Sequence, residues 1–179
     1  MTDARIARTR TALAEALLAL AGEKDFGEIT IGEITARATV GYATFFRHYE
    51  DKDALLADVA DVLLDELLEQ MLPALIAADT LQASISLCRF VGSRRAICRA
   101  LLAGGASANI RSELVRRAGA RATDLSLPHP AGLTPDLLIP HAVAATLGLL
   151  AWWLDQDRLD ETTMGAIIDR LVIGPVRSG

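Results

Sequence analysis

Residues 30–56 read TIGEITARATVGYATFFRHYEDKDALL, and this stretch decides the fold. Thr30 can cap a short helix, because its hydroxyl can accept a free amide of the next turn, and Glu33 stands three residues on, in the capping-box position. That helix is expected to end near Ala38. After a tight turn Gly41 opens a second short helix, expected to run through Tyr49. Glu50-Asp51 then separate it from a long helix that starts at Lys52. Four aromatics, Tyr42, Phe45, Phe46 and Tyr49, fall within eight residues of a chain that is only 4% aromatic. Helical spacing divides them. Ile34, Ala38, Val40, Phe45 and Tyr49 fall where a small three-helix core needs apolar groups. Tyr42, Ala43, Thr44, Phe46, Arg47 and His48 are left on the outer face. No acid occurs from Ala36 to Tyr49, while Arg37, Arg47 and His48 supply local positive charge, as a surface beside phosphates requires.

Working outward, Ile6, Leu13, Leu17 and Leu20 recur at helical spacing and predict a first helix from about Asp3 to Ala21, stopped by Gly22. Lys24 to Glu28 reads as a polar connection holding Phe26. Downstream, a long helix is expected from Lys52 to about Ala77, with Leu55, Val59, Leu63, Leu67 and Met71 on one stripe and Pro73 in its last turns. Further helices are expected at Leu81–Val91, Ser93–Ala103, Ala108–Thr123, Pro135–Leu154 and Glu161–Ile173. Gly92-Ser93, Gly104-Gly105, Ser126–Thr134 and Asp155–Asp160 punctuate them. The expectation is an all-α chain of nine helices, without strands. Its opening is a three-helix, homeodomain-like helix-turn-helix domain over residues 1–51; a helical ligand-binding and dimerisation domain follows over 52–179. In such a motif the second helix of the pair enters the major groove.

The order of these residues resembles the TetR family of bacterial transcriptional repressors. It runs from a capped helix ending in Ala-x-Val, through Thr44 and two aromatics, then His-aromatic, to Lys-Asp-x-Leu-Leu opening the long helix. The stretch Gly-Leu-Leu-Ala-Trp-Trp-Leu at 148–154 and a final amphipathic helix resemble that family's second domain. The resemblance implies that Thr44 and Lys52 contact DNA phosphates. It places Tyr42, Ala43 and His48 at base edges or neighbouring phosphates, with Arg37, Arg47, Arg5 and Arg8 as backbone contacts. Thr30, Gly41 and Phe46 complete the candidate DNA-binding set. Three positions depart from the family pattern. Thr39 stands where glycine is usual, in a turn that calls for positive φ. Gly41 stands where a Ser or Thr cap is common, at a cost of a few tenths of a kcal/mol. Phe46 replaces a Tyr, which removes one phosphate hydrogen bond worth roughly 1 kcal/mol but leaves an apolar edge for a thymine methyl.

A net charge of −5 excludes a globally basic nucleic-acid coat. The charge is patterned: residues 53–88 carry seven acids and no base, whereas residues 89–121 carry eight Arg and one Glu. The Arg block could be an anionic-ligand site; the favoured reading is that it packs beside the acidic long helix, where Asp58, Asp61, Asp65, Glu66 and Glu69 offer partners. Cys88 and Cys98 lack metal-ligand spacing and are expected to be buried free thiols. No metal site, catalytic residue or cofactor is expected: His48, His129 and His141 are scattered, and hydrolase, zinc-protease and phosphate-loop motifs are lacking. No apolar run is expected to reach the ~18–20 residues of a membrane span, and MTDARIARTR does not read as a secretory signal. The expected location is the cytoplasm, with no membrane partner.

A lone helix-turn-helix binds DNA weakly, so a homodimer over a palindromic double-stranded operator is expected. Ala145, Gly148, Leu149 and Trp152 on one helix, with Ile167, Ile168 and Leu171 on the next, are the candidate dimer interface, one helix pair from each subunit. Trp152 and Trp153 could instead line a pocket for a small hydrophobic ligand. The reading is therefore a homodimeric, ligand-released transcriptional repressor and not an enzyme. The alternative is a helical dimeric interaction or ligand-binding module without DNA affinity.

Overall fold

The computed structural model describes residues 2–76, 79–103, 107–124, 133–156 and 158–177. The Gly104-Gly105 break, His129 between its prolines, and Ala77 at the expected end of the long helix lie outside these residues. Helices dominate: α1 Thr2–Ala21, α2 Ile31–Arg37, α3 Tyr42–Phe45, α4 Lys52–Ile76, α5 Thr80–Gly92, α6 Arg95–Ala103, α7 Ser107–Asp124, α8 Pro135–Leu154 and α9 Glu161–Ile168. No strand occurs among the described residues. Beyond α9 the chain continues as a π-helical turn, Asp169–Ile173, into α10, Gly174–Arg177. Pro175 accounts for the widening: it has no N–H for the carbonyl four residues back, and its ring needs room there. The Gly174 amide accordingly reaches back five residues to Asp169 O.

The helix starts follow side-chain chemistry. Asp51, Asp79 and Asp160 accept the amides of Ala54, Gln82 and Thr163 at 2.8, 2.9 and 2.7 Å. Each satisfies an orphan donor and sets a negative charge at a helix N-terminus.

Two compact units divide the chain, one holding residues 1–63 and 94–106, the other 64–93 and 107–179. In the first, Leu13, Leu17 and Leu20 of α1 are buried together with Ile29, Ile34, Phe45, Tyr49, Leu55 and Val59, and with Ile97 and Leu101 of α6. Ile6, expected on the same stripe, is 40% exposed. In the second unit α5 packs on α9. The approach is close: a Cβ on Gly165 would stand 2.7 Å from Ile85 Cα. Cys88 is buried there, Cys98 in the first unit, and both thiols are free. Burial pushes them up to about 12 and 11, so neither is a ready thiolate.

One expectation is corrected. α8 is long and apolar enough to cross a membrane by length and composition, with Asp136 its single carboxylate and 22% of its apolar window buried.

Candidate nucleic-acid interface

The reading head is built from local rules. Thr30 Oγ1 accepts the Glu33 amide at 3.3 Å, and the Glu33 carboxylate accepts the Thr30 amide at 2.9 Å and its hydroxyl at 2.8 Å. The capping box is complete. Lys24 Nζ reaches the other oxygen of Glu33, and these contacts, the lysine's first, hold that carboxyl at about 2. The Thr30 hydroxyl is thus engaged at the helix start.

α2 ends in a Schellman turn: the Val40 amide donates to Thr35 O at 3.0 Å and the Thr39 amide to Ala36 O at 3.2 Å. The geometry requires left-handed backbone at Thr39, whose φ is 56°. A β-branched residue there costs about 1–2 kcal/mol relative to glycine. Gly41 then caps α3 with extended backbone and no side-chain hydrogen bond. A Cβ at Gly41 would meet only Thr44 Oγ1, at 3.5 Å, so a serine fits.

α3 is shorter than expected. It closes at Phe45, and residues 46–48 tighten into turns, the His48 and Tyr49 amides both donating to Phe45 O. The cause is at Tyr49, whose hydroxyl is pinned to α4: it donates to Asp58 Oδ2 while Arg10 of α1 binds both groups. Burial, then the Asp58 contact, lifts the Tyr49 hydroxyl to about 12. Asp58 is therefore occupied by Arg10 within the first unit.

The aromatics divide as spacing predicts. Phe45 is fully buried and Tyr49 6% exposed, while Tyr42 and Phe46 are 58% and 49% exposed. Tyr42 and Phe46 lie edge to face with ring centroids 5.4 Å apart, forming one apolar ridge. Ala43 and Arg47 are exposed beside it; Thr44 and His48 are half-buried. Ala38 and Val40 are half-buried at the core's margin. Arg37, also exposed, pairs with Glu23 at 2.7 Å. Arg5 and Arg8 lie on the exposed side of the first turns of α1.

Lys52 sits differently. Its ammonium donates to Phe26 O, Gly27 O and Ile29 O at 2.9, 3.1 and 3.1 Å, and lies 4.6 Å from the Phe26 ring centroid. The polar connection expected before α2 contains a 3-10 turn, Phe26–Glu28, whose end is held by this side chain. Arg10 and these carbonyls were not marked by any spacing, and Asp58, expected to serve the Arg block, binds Arg10 and Tyr49. The one available signal was the Tyr49 hydroxyl: placed at a buried position, it needs a partner.

In the second unit Leu137, His141, Ala144, Gly148 and Trp152 recur on α8 at steps of three and four and are all exposed. Ala145 and Leu149 beside them are half-buried. Trp153, one residue on, is fully buried and its indole donates to Leu159 O at 2.9 Å, so the two tryptophans serve opposite faces. The last apolar stripe splits likewise. Met164, Ile168 and Val172 are buried within the unit, Ile167 is half-buried and Leu171 is 61% exposed. In the Arg block, Arg117 binds Glu113 and reaches Asp65 of α4 at 2.9 Å, while Arg116 holds Glu113 too. These two arginines, Arg116 first, keep the Glu113 carboxyl at about 2. Arg99 turns instead toward Asp25 in the first unit, at 3.7 Å.

A capped helix, a Schellman turn and a short second helix presenting an exposed aromatic-and-arginine face define the helix-turn-helix class. Residues 13–59 match the model of the bacterial regulatory proteins, tetR family. A 70-residue segment, 38% of this chain, is 37% identical to the uncharacterized HTH-type transcriptional regulator YxbF of Bacillus subtilis (strain 168) and spans 18% of that protein's length. The fold recurs in a TetR transcriptional regulator from Streptococcus agalactiae 2603V (TM-score 0.66, 22% identity, 98% of each chain). It recurs also in Thermus thermophilus FadR, a TetR-family repressor solved with lauroyl-CoA (TM-score 0.70, 17% identity, 93% of this chain and 94% of that one). Over residues 13–59 the chain is therefore similar to the bacterial tetR-family regulatory proteins, and over nearly its whole length it shares the fold of solved TetR regulators.

Proposed function

We propose that this chain is a homodimeric repressor that binds a palindromic operator and is released from it by a small, largely hydrophobic ligand. The observation that carries the DNA half of the reading is the split of the aromatics. Phe45 and Tyr49 are spent on the core, whereas Tyr42 and Phe46 are left exposed beside Arg47 in a stretch without acids. Leaving such a ridge in water is unfavourable, and base edges with thymine methyls suit it. In this reading Tyr42, Ala43, Phe46, Arg47 and His48 form the groove-facing set, with Thr44, Arg37, Arg5 and Arg8 toward the backbone. The reading domain extends through residue 51, and residues 52–179 bind ligand and dimerise.

The dimer half rests on α8. Its exposed apolar stripe from Leu137 to Trp152, with Leu171 of the following turn, would otherwise face water. A Cβ at Gly148 would meet nothing within 4 Å, so the monomer's packing does not demand glycine there, whereas a partner helix approaching closely would. Ile168, fully buried, would support that surface from beneath. The hydrophobic-ligand reading is supported by the apolar second unit and by the lauroyl-CoA bound by Thermus thermophilus FadR.

The test is selection from a random duplex pool by the purified dimer. Recovery of an inverted repeat with half-sites about one helical turn apart is expected. A folded dimer that retains no duplex at low salt would leave the interaction-module reading in its place.

A further inference from the structure

The chain has two lysines among its 18 cationic residues, and both are turned onto the short segment that precedes α2. Lys24 holds Glu28 O and the Glu33 carboxylate. Lys52, the first residue of α4, gives hydrogen bonds to three carbonyls of residues 26–29 and is half-buried. An ammonium has three protons, and here three carbonyls converge on it. The Phe26 ring stacks on the same charge. A phosphate could be met by this group only if one of those carbonyls were given up.

We infer that Lys52 is a positioning residue, which clamps the 3-10 turn onto the head of α4 and so sets where α2 and α3 stand, and that it is not a phosphate contact. The anchored carbonyls end at Ile29, immediately before the capping box that starts α2. A displacement at the head of α4 is therefore handed to α2 through one side chain. A second tie runs parallel: Asp58, six residues further along α4, holds the Tyr49 hydroxyl at the end of the reading segment, with Arg10 closing the set. Between them, Lys52 grips the entry to the helix-turn-helix and Asp58 grips its exit. The reading head and the first two turns of α4 then move as one body. A ligand that favours one position of α4 acts on DNA through these two ties, to the extent of its differential affinity for the two positions.

The inference rests on the regulator reading, and its test separates the two. Affinity of the wild type, Lys52→Met and Lys52→Arg for the selected duplex is measured over a salt series. A phosphate contact would lower the slope of log K against log salt by about 0.9 per protomer in Lys52→Met, and arginine, an able phosphate ligand, would restore it. The clamp predicts that both variants bind at least tenfold more weakly with an unchanged slope, since a planar guanidinium cannot meet three convergent carbonyls. A changed slope rescued by arginine overturns the inference; so does unchanged affinity in Lys52→Met. If Lys52→Met fails to fold, an amine-reactive reagent read by mass spectrometry reports on the wild type. Slow labelling of Lys52, equal with and without DNA, is expected; fast labelling that DNA suppresses contradicts the clamp. A wild type that binds no duplex removes the regulator reading, while slow or fast labelling of the free protein still decides the clamp.

Discussion

The two units of this chain are held together by different means. In the first, short helices that could not persist alone are fastened by directional polar contacts: the Thr30–Glu33 box, the Lys52 carbonyls and the Arg10–Asp58–Tyr49 set. In the second, longer helices meet by close apolar packing, α5 against α9 at Gly165, with carboxylate caps at Asp79 and Asp160. Directional bonds define where a reading surface points; apolar packing leaves helices able to slide and faces able to dimerise. The difference fits the proposed function, in which the first unit presents a fixed ridge and the second takes a partner and a ligand.

That contrast can be broken from either side. The largest effect is expected at Phe45, fully buried beneath the reading face: Phe45→Ala should cost about 3–5 kcal/mol, measured by urea unfolding. Gly165→Ala should follow at about 1–3 kcal/mol, because its methyl would sit 2.7 Å from the Ile85 backbone; thermal melting checks it. Gly148→Arg, by contrast, should leave the helical fold intact and convert the proposed dimer to monomer in sedimentation velocity, since open space surrounds that position in the monomer.

Smaller effects sharpen the polar side. Glu33 titrates at about 2 in the fold instead of 4.5. Its contribution to stability is therefore fully present above about pH 4.5 and is lost as pH falls toward 2. Glu33→Gln should flatten the acid limb of a pH-stability profile within that window. Thr39→Gly should stabilise the chain by about 1 kcal/mol, by relieving a β-branched residue at φ 56°, with DNA affinity preserved. A loss of stability there would mean that the threonine makes an interaction outweighing its strain.

Much of this organisation is legible in the chain. α8 runs over Pro135–Leu154 as periodicity predicts, the capping box follows from local chemistry, and the left-handed backbone at Thr39 is what the resemblance implies. The sorting of Phe45 from Phe46 follows from helical spacing alone. Legibility ends where contacts join residues far apart in sequence. Lys52 reaches back 23 to 26 positions to its carbonyls, and Arg10 reaches forward 48 to Asp58. No periodicity encodes such pairs, and so the resemblance marks Lys52 for phosphate while the fold occupies it with the backbone. α3 ends early for the same reason, since the pull on Tyr49 comes from α4. The charge blocks predict the pairing of Arg117 with Asp65, but not that Arg99 lies 3.7 Å from Asp25.

The central claim is that Tyr42 and Phe46 form an exposed reading ridge, Phe46 resting edge to face on the buried Phe45. The most direct test is the double variant Tyr42→Ala/Phe46→Ala, assayed by fluorescence anisotropy against the selected duplex and a scrambled one. Melting temperature should fall only modestly, through loss of the Phe46–Phe45 ring contact worth about 0.5–1.5 kcal/mol, and binding to the scrambled duplex should be retained. Affinity for the selected duplex should fall at least tenfold, toward the scrambled value. Undiminished preference for the selected duplex would contradict the account.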